Sequence, residues 1–322
     1  MVTGLQFLSH NTPGVESVPC NLCGATESVS LYTFGDTSCG DQVEFVLRRC
    51  LNCGLMYLSP RPTRETIETY YPKEYNPYRP AIADERWALM RWIRRRKLVK
   101  KRRLVEHYSG QTQGRLLDVG CSTGLFLHEM AQAGWQVAGI EPIASAAEYA
   151  RCRFGLSVFQ GMLGEASYEP VSFDVVTFWD VLEHTFSPVD ELAHAARLLR
   201  PGGLLVANVP NWDSPDRWLF GRYWLGLDPP RHLYAFTRRT LTAMLATAGF
   251  SVLDWVCFMS GYFSFTISLE RWLETINLRL SRFAARALSL PGMRFPFEPW
   301  FMLNNWLGKG PNISIVARKA IP

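Results

Sequence analysis

Segments with the pattern of buried strands alternate with helical segments from residue 115 onward, and this alternation constrains the fold most. The first strand–loop–helix unit is RLLDVGCSTGLFL over residues 115–127, and later apolar runs are VAGIE, FDVVTFW, LLVANVP and NISIVAR. Short apolar runs separated by helices of this length are typical of a mostly parallel sheet with helices on both faces. The sequence therefore predicts an α/β fold for residues 111–322.

A loop with two glycines, Gly120 and Gly124, follows the first of these strands. In an open parallel sheet, the ligand lies beyond the carboxyl ends of the strands, beside the first strand. The loop lacks the third glycine of the dinucleotide fingerprint, so its cradle for a pyrophosphate is incomplete. Glu141 ends the next strand, where a carboxylate can accept hydrogen bonds from both hydroxyls of a ribose. We therefore expect a ligand that contains adenosine but is not a dinucleotide.

Two C-x-x-C pairs, each followed by glycine, lie near the N-terminus. Their four cysteines are Cys20, Cys23, Cys50 and Cys53. The segments SVSLYTF and VEFVLRR between the pairs have the pattern of short strands. Four thiolates supply the tetrahedral sulfur shell that Zn²⁺ prefers, and a closed shell of this kind is structural. The sequence thus predicts a zinc ribbon over residues 1–62, in which Cys39 is not a ligand.

Residues 63–110 are predicted to form a Tyr- and Pro-rich linker followed by a basic helix. Nine Lys and Arg residues fall within residues 91–103, and the apolar Trp92, Val99 and Leu104 are spaced as a stripe. A solvated connecting helix, a phosphate-rich partner and an anionic membrane surface are all compatible with this pattern. The sequence leaves these three alternatives open.

The motifs resemble those of class I S-adenosylmethionine-dependent methyltransferases, specifically the bacterial subgroup in which a C-x-x-C…C-x-x-C ribbon precedes the catalytic domain. The matching segments are LLDVGCSTG, VAGIEP, FDVVTFWDVLEHTFSP, LLRPGG and PPRHLYAFT, and NISIVARK matches the usual final strand. This resemblance implies a Rossmann-like seven-stranded sheet, mostly parallel with the last strand antiparallel, beside the small zinc ribbon. Ser122 departs from the family, which most often has glycine at that position.

The resemblance also implies a role for each residue that matches a family motif. Asp118 and the glycine loop would hold the methionine end of S-adenosylmethionine, and Glu141 would bind its ribose. Gly161 and Met162 would contact the adenine. The implied cofactor-binding residues are Asp118, Gly120, Cys121, Ser122, Gly124, Glu141, Pro142, Ile143, Gly161, Met162, Trp179 and Asp180.

Two histidines are predicted to be catalytic. Methyl transfer from a sulfonium mainly requires alignment, and an oxygen nucleophile additionally requires a base. His184 follows the fourth strand and His232 lies in a loop after the fifth, and an imidazole suits this task. For each residue, a packing or capping role is the alternative. Asp180, Glu183 and His184 are also similar to the Mg²⁺ ligands of ubiquinone-biosynthesis O-methyltransferases, so a Mg²⁺ site is a further alternative.

Residues 260–310 form an insertion between the last two strands that is rich in Phe and Trp. Apolar residues at positions 269, 272, 273, 276, 280 and 283 predict one amphipathic helix there. One interpretation is a lid helix that packs on the domain. The other is an apolar acceptor site or a membrane-surface contact, which would suit a lipid-linked or aromatic substrate.

The leading hypothesis is a SAM-dependent methyltransferase that O-methylates a small-molecule or lipid-linked acceptor, such as a surface sugar, a glycolipid or a natural product. The sequence shows no secretory signal and no apolar run long enough for a span, so we expect a cytoplasmic protein. Peripheral contact with the inner membrane surface stays open.

Two rival hypotheses remain. The first is an RNA methyltransferase that docks through its zinc ribbon and basic helix, because residues 1–110 hold 16 Lys and Arg against 11 Asp and Glu. Residues 111–322 hold 18 of each and show no N-P-P-Y-like motif. The second rival is a module that binds the cofactor without catalysis.

Overall fold

The computed structural model describes residues 14–36, 43–71, 88–258, 261–290 and 292–321. Cys39 and most of the predicted linker lie outside the described residues. The strands of the described residues are β1 (Val15–Glu16), β2 (Ser28–Asp36), β3 (Val43–Cys50), β4 (Met56–Leu58), β5 (Arg61–Pro62), β6 (Arg115–Val119), β7 (Gln136–Glu141), β8 (Val158–Gln160), β9 (Phe173–Trp179), β10 (Leu199–Pro210), β11 (Tyr234–Ala235), β12 (Phe250–Val256) and β13 (Asn312–Lys319). The helices are α1 (Ala88–Ser109), α2 (Leu125–Gln132), α3 (Ala144–Phe154), α4 (Pro188–Leu198), α5 (Pro215–Phe220), α6 (Arg238–Thr247), α7 (Tyr262–Glu274), α8 (Leu278–Leu288) and α9 (Glu298–Trp306).

The main sheet has seven strands in the order β12-β13-β10-β9-β6-β7-β8. The strands β6 to β10 pair in parallel, and β13 is antiparallel to both of its neighbours. Leu116 and Leu117 are both fully buried although they point to opposite faces, because helices cover the sheet on each side. The predicted fold class, including the antiparallel last strand, is confirmed.

Strand β10 begins earlier than the LLVANVP segment predicts. It starts at Leu199, directly after α4, and a register shift separates Leu199 from Leu204 in its pairing with β9. The glycines at 202 and 203 therefore lie in an irregular part of the strand rather than in a turn.

The cysteine-containing segments form a small sheet in the order β11-β4-β3-β2. Its edge strand β11 lies much later in the sequence than the other three strands. Tyr234 of β11 pairs with Tyr57 of β4. Buried side chains of the small sheet, including Phe45, belong to one apolar cluster with Phe178 and Phe236. The small sheet therefore shares its core with the main sheet.

Helix α1 is present, but its apolar stripe differs from the prediction. Val105 is fully buried and Leu98 and Leu104 pack against the main core, whereas Trp92 is 55% exposed. Trp92 instead stacks under the guanidinium of Arg96. Among the described residues, no helix combines the length and the apolar character needed to cross a bilayer.

Residues 262–288 of the insertion form two helices where the periodicity predicts one, so that prediction is wrong. The third helix of the insertion is α9. Helix α7 ends at Glu274 and α8 begins at Leu278. The side chain of Asn277 accepts hydrogen bonds from the backbone N–H groups of Arg279 and Leu280, which starts the second helix. The apolar spacing continues across this break, and periodicity alone therefore conceals it.

Candidate functional site

One cavity of about 1260 Å³ opens at the carboxyl ends of β6, β7 and β9. Its volume exceeds the roughly 300–1,000 Å³ of a typical ligand site, so it has room for two ligands. The predicted site residues that line it are Asp118, Gly120, Cys121, Ser122, Glu141, Pro142, Ile143, Gly161, Met162, Trp179, Asp180, His184 and His232. Of the residues predicted to bind the cofactor or to act in catalysis, Gly124 alone is not in this lining.

The two glycines at the ends of the loop are required by packing. Gly124 has a φ of +76°, and a Cβ there would lie 2.6 Å from Cδ1 of Leu156 and 2.9 Å from Cβ of Ala150. At Gly120, where φ is +69°, a Cβ would lie 2.5 Å from a methyl group of Val181. The absence of side chains at both ends thus lets the loop fit between α3 and the segment after β9.

Glu141 ties the loop to the end of the neighbouring strand. Its carboxylate accepts hydrogen bonds from the backbone N–H groups of Ser122 at 2.8 Å and Ile143 at 2.9 Å. Burial raises the pKa of Glu141, and these two donors act in the opposite direction. Each carboxylate oxygen keeps a second lone pair, so Glu141 can still accept hydrogen bonds from a ribose. These residues fit the cofactor that the sequence predicts.

Ser122 adopts a left-handed conformation with a φ of +50°. This region costs a residue with a Cβ roughly 1–2 kcal/mol, which explains why glycine is the usual residue there. The loop keeps its shape despite the serine, because the N–H group of Ser122 is bound to Glu141.

Asp118 lies beneath the loop at the end of β6. It is 2% exposed and accepts a hydrogen bond of 2.6 Å from the hydroxyl of Thr177. Burial raises the pKa of Asp118 to about 7, although Thr177 and the charge of Lys101 act to lower it. The carboxyl group therefore titrates near neutrality.

Lys101 of α1 lines the same cavity, and the sequence analysis did not assign it. Its ammonium lies 4.4 Å from the ring centroid of Trp179. Burial lowers the pKa of Lys101, and the charges of Asp180 and Asp118 oppose that shift. Helical spacing could have revealed it, because Lys101 lies on the same face as Leu98 and Val105.

The two predicted histidines are neighbours at the other end of the cavity. Their ring centroids are 4.5 Å apart with the rings nearly perpendicular. Nδ1 of His184 lies 3.0 Å from the carbonyl oxygen of Arg231, and Nδ1 of His232 lies 2.9 Å from that of Gly226. A carbonyl oxygen can only accept, so both Nδ1 atoms carry the proton. Each Nε2 therefore holds a lone pair.

Both imidazoles are neutral at physiological pH. Burial and the neighbouring His232 lower the pKa of His184 to about 3. Burial also lowers the pKa of His232, although the charge of Asp228 opposes the shift. A group with a pKa of about 3 is a weak base, so His232 is the better candidate of the two to accept a proton from a ligand at Nε2.

A third side chain, Glu183, completes a cluster with the histidines. One ligand atom from each of Glu183, His184 and His232 lies within 4.8 Å of the others. Oε2 of Glu183 is buried without a hydrogen-bond partner among the described residues, and burial raises its pKa. Asp180 is not part of this cluster, and Oδ1 of its carboxylate accepts hydrogen bonds from Asn208 and Asn312.

The donor set of this cluster does not suit Mg²⁺. Two imidazole nitrogens and one carboxylate are ligands that transition metals prefer, whereas Mg²⁺ requires oxygen ligands. The structure does not bring Asp180 into one group with Glu183 and His184, so the predicted set of Mg²⁺ ligands is not assembled among the described residues.

An ion-pair network holds the loop that carries His232. Asp228 accepts hydrogen bonds from Arg231 of the same loop and from Arg271 of α7, the latter at 2.6 Å. Burial acts to raise the pKa of Asp228, but His232 and the two arginines hold it well below its ordinary value. Sequence patterns alone could not reveal the pair of Asp228 and Arg271, because these two residues are distant along the chain.

The small N-terminal sheet forms hydrogen bonds with the backbone next to the same loop. The carbonyl of Leu233 accepts a hydrogen bond of 2.8 Å from the N–H group of Leu58. The N–H group of Leu233 donates to the backbone carbonyl of Glu183 at 2.7 Å. Arg61 donates to the carbonyl of Phe186, three residues after Glu183. The backbone that presents both histidines is thus fixed between the two sheets.

The four paired cysteines lie together at one end of the small sheet. The Sγ atoms of Cys20 and Cys53 are 3.4 Å apart, those of Cys23 and Cys50 are 3.5 Å apart, and all four lie within 4.8 Å. Tetrahedral bonds of about 2.3 Å to zinc would separate the sulfur atoms by roughly 3.8 Å. The four thiols therefore fit a Zn²⁺ ion.

Comparison with known proteins gives one family match that covers half of the chain. A family model described as a methyltransferase domain matches residues 90–254. A relative curated as a probable S-adenosylmethionine-dependent methyltransferase of Mycolicibacterium smegmatis is 29% identical over 179 residues, which are 54% of this chain and 63% of that protein. The ubiquinone biosynthesis O-methyltransferase of Burkholderia multivorans is 39% identical over 111 residues, or 33% of this chain and 47% of that protein.

The chain thus spans less than two thirds of the length of both relatives. Among solved structures, a protein provisionally described as a sarcosine dimethylglycine methyltransferase from Galdieria sulphuraria has a TM-score of 0.50. Its sequence is 15% identical, and the match covers 76% of this chain and 91% of that one. This likeness concerns the fold alone.

Proposed function

Because the chain belongs to the class I S-adenosylmethionine-dependent methyltransferase family, we propose that it methylates a small-molecule or lipid-linked acceptor. The observation that carries this proposal is that one cavity contains both the glycine loop and the histidine pair. A cofactor at the loop and an acceptor at the histidines would then lie in the same enclosed space. Alignment of two reactants in this way contributes roughly 7–11 kcal/mol to catalysis.

The cofactor end of the cavity would bind S-adenosylmethionine through Glu141, Asp118 and Lys101. S-Adenosylmethionine, when bound, supplies a methyl group on a sulfonium that leaves without protonation. Glu141 would accept hydrogen bonds from the ribose hydroxyls through its remaining lone pairs. Lys101 is one of the two lysines of α1 in the lining, and it would pair with the carboxylate of the methionine moiety.

The acceptor end would deprotonate a hydroxyl group. His232 would accept the proton at Nε2, because its Nδ1–H group is held by a backbone carbonyl, and His184 would lie beside it as the weaker base. General-base catalysis of this kind contributes about 10²–10⁴ in rate. The likeness to an O-methyltransferase of ubiquinone biosynthesis supports an oxygen acceptor.

The paired cysteines would hold a structural Zn²⁺ ion. A closed shell of four thiolates leaves no position for a substrate, so we assign the metal no chemical step. Its contribution would be to fix the small sheet, whose strand β4 binds the backbone of Leu233 beside His232.

The test is transfer of labelled methyl from S-adenosylmethionine into an extract of the host, which is then separated into RNase-sensitive, organic-soluble and small aqueous fractions. We expect label in the organic or the small aqueous fraction. Glu141→Ala should lower cofactor affinity about 100-fold, because hydrogen bonds to a charged group contribute about 1.5–3 kcal/mol each. Glu148→Ala on the exposed side of α3 is the matched control, and we expect it to bind and turn over normally.

The outcomes distinguish the rival functions. Label that RNase removes would identify an RNA methyltransferase, and the exposed Arg95, Arg96 and Arg103 of α1 would then be its docking residues. Cofactor binding that depends on Glu141, without label in any fraction, would identify a binding module. Either result would overturn the proposed function.

A further inference from the structure

The insertion concentrates the exposed apolar side chains of this protein. Of the 21 large apolar side chains that are exposed in the described residues, 13 lie between residues 263 and 307. They include Phe283 at 70% exposed, Met302 at 66% and Trp306 at 82%. Scattered exposed apolar residues are normal, but a concentration of this kind in one segment marks an interaction surface. We call the exposed side of α8 and α9 the insertion surface.

The insertion surface is also cationic. Residues 275–297 contain four arginines and no acidic residue. Arg294 is paired with Glu298. The remaining three, Arg279, Arg282 and Arg286, are exposed and have no carboxylate partner among the described residues. An anionic partner would therefore meet three uncompensated charges.

Helix α8 carries the charged and the apolar residues as two adjacent stripes. The arginines recur with a spacing of three and four residues, and Leu280, Phe283 and Ala287 follow the same spacing one position later. The opposite side of the helix faces the protein, because Ser281 is buried and donates to the carbonyl of Glu270 on α7. The outward side of α8 is thus apolar along one edge and basic along the other.

The three helices of the insertion form one unit that reaches the cavity. The hydroxyl of Tyr262 on α7 donates to the carbonyl of Leu288 at the end of α8, and its ring contacts Phe301 of α9. Phe263 and Arg271 of the same α7 line the cavity. A partner on the insertion surface would therefore contact a unit whose helix α7 also lines the cavity.

We propose that the insertion surface docks on an anionic phospholipid bilayer. Exposed Trp and Phe side chains suit the interface between headgroups and acyl chains, and the arginine stripe of α8 suits lipid phosphates. A symmetric pairing of two copies through this surface would bring the arginine stripes toward each other without an acid to offset them. The proposal does not depend on the methyl transfer, since docking is measured without a methyl donor.

The test is cosedimentation of the full chain with vesicles of phosphatidylcholine and phosphatidylglycerol, compared with pure phosphatidylcholine. We expect binding to the anionic vesicles that weakens with salt. Replacing Arg279, Arg282 and Arg286 by Gln should weaken it about 100-fold, because each arginine near an anionic surface contributes roughly fivefold. The matched control replaces Arg95, Arg96 and Arg103 of α1 by Gln, and we expect it to bind normally.

A second pair of variants tests the apolar contribution. Trp306→Ser should reduce binding at least tenfold, whereas Ile321→Ser, which is 76% exposed outside the insertion, should have no effect. Thermal unfolding of each variant checks that the fold is kept. The proposal is wrong if no vesicle binds the protein, or if the α1 variant loses binding instead. A dimer that Trp306→Ser dissociates, with no vesicle binding, would identify a second copy as the partner and equally overturn it.

Discussion

The two ends of the cavity are built in different ways. The cofactor end consists of short segments that each follow directly from a strand, such as Gly120–Gly124 after β6 and Glu141 at the end of β7. The acceptor end combines His184, His232 and Arg271, which come from three separate parts of the chain. The cofactor end is thus fixed by local structure and the acceptor end by contacts between distant segments. We therefore expect substitutions at one end to change either cofactor affinity or turnover, and not both equally.

Removal of the cysteine cluster should have the largest effect of the changes considered, and it should disturb the acceptor end more than the cofactor end. Zinc binding to a structural thiolate site contributes on the order of 10 kcal/mol. Cys20→Ser should therefore lose the metal, release the support of Leu233 and abolish methyl transfer. Metal content and turnover check this, together with titration of S-adenosylmethionine, whose affinity should change less than turnover. Cys152→Ser on the exposed side of α3 is the control, and equal losses in both variants would contradict the assignment.

His232→Ala should lower kcat by about 10²–10⁴ and leave cofactor affinity unchanged, because it removes a proton acceptor at the acceptor end alone. Single-turnover kinetics and cofactor titration measure the two quantities separately. His107→Ala at the exposed end of α1 is the comparison. A parallel fall in cofactor affinity would show that the two ends are not independent.

The pH profile of the wild-type protein tests the same histidines. Burial lowers the pKa of His184 to about 3 and also lowers the pKa of His232, so both stay neutral as the pH falls through 6.5. At saturating S-adenosylmethionine, the midpoint of any decline in kcat should therefore lie below pH 6.5, the ordinary pKa of a histidine base, whereas the titration of Asp118 near pH 7 should appear in cofactor affinity. A decline of kcat centred near pH 6.5 at saturating S-adenosylmethionine would mean that the base is an unshifted group.

Lys101→Met should have a smaller effect, confined to the cofactor end. Loss of one charge-assisted hydrogen bond of about 1.5 kcal/mol should weaken binding of S-adenosylmethionine roughly tenfold. The exposed Lys100→Met carries the same charge change outside the cavity lining and should bind normally. Equal affinity in the two variants would remove Lys101 from the cofactor site.

Ser122→Gly should have the smallest effect. It relieves a left-handed conformation of roughly 1–2 kcal/mol, and the greater freedom of glycine in the unfolded chain offsets part of this. The free energy of unfolding should therefore rise by about 0.5–1 kcal/mol in chemical denaturation. Val171→Gly, at a φ of +59° on the surface, should show the same direction without touching the cavity. A lower stability in the Ser122 variant would mean that its side chain stabilises the loop.

Local patterns in the sequence were enough to predict the residues of the cofactor end. The strand–loop–helix unit, the carboxylate ending the next strand and the paired cysteines each depend on neighbours within a few residues. The structure brings 11 of the 12 predicted cofactor residues to one cavity, and it places the remaining Gly124 where α2 packs on α3. Their roles in cofactor binding stay predictions.

The sequence by itself determined the fold class, the zinc-type cysteine set and the position of the ligand loop, because backbone geometry and periodicity encode them. Helical spacing places Lys101 on the same face as Leu98 and Val105. Only the tertiary structure decided that a cavity lies beside that face, and that Arg271 of the insertion pairs with Asp228. The same holds for the contact of β4 with Leu233. The energies of these contacts depend on burial and on partners more than 40 residues away, and no spacing along the chain records either.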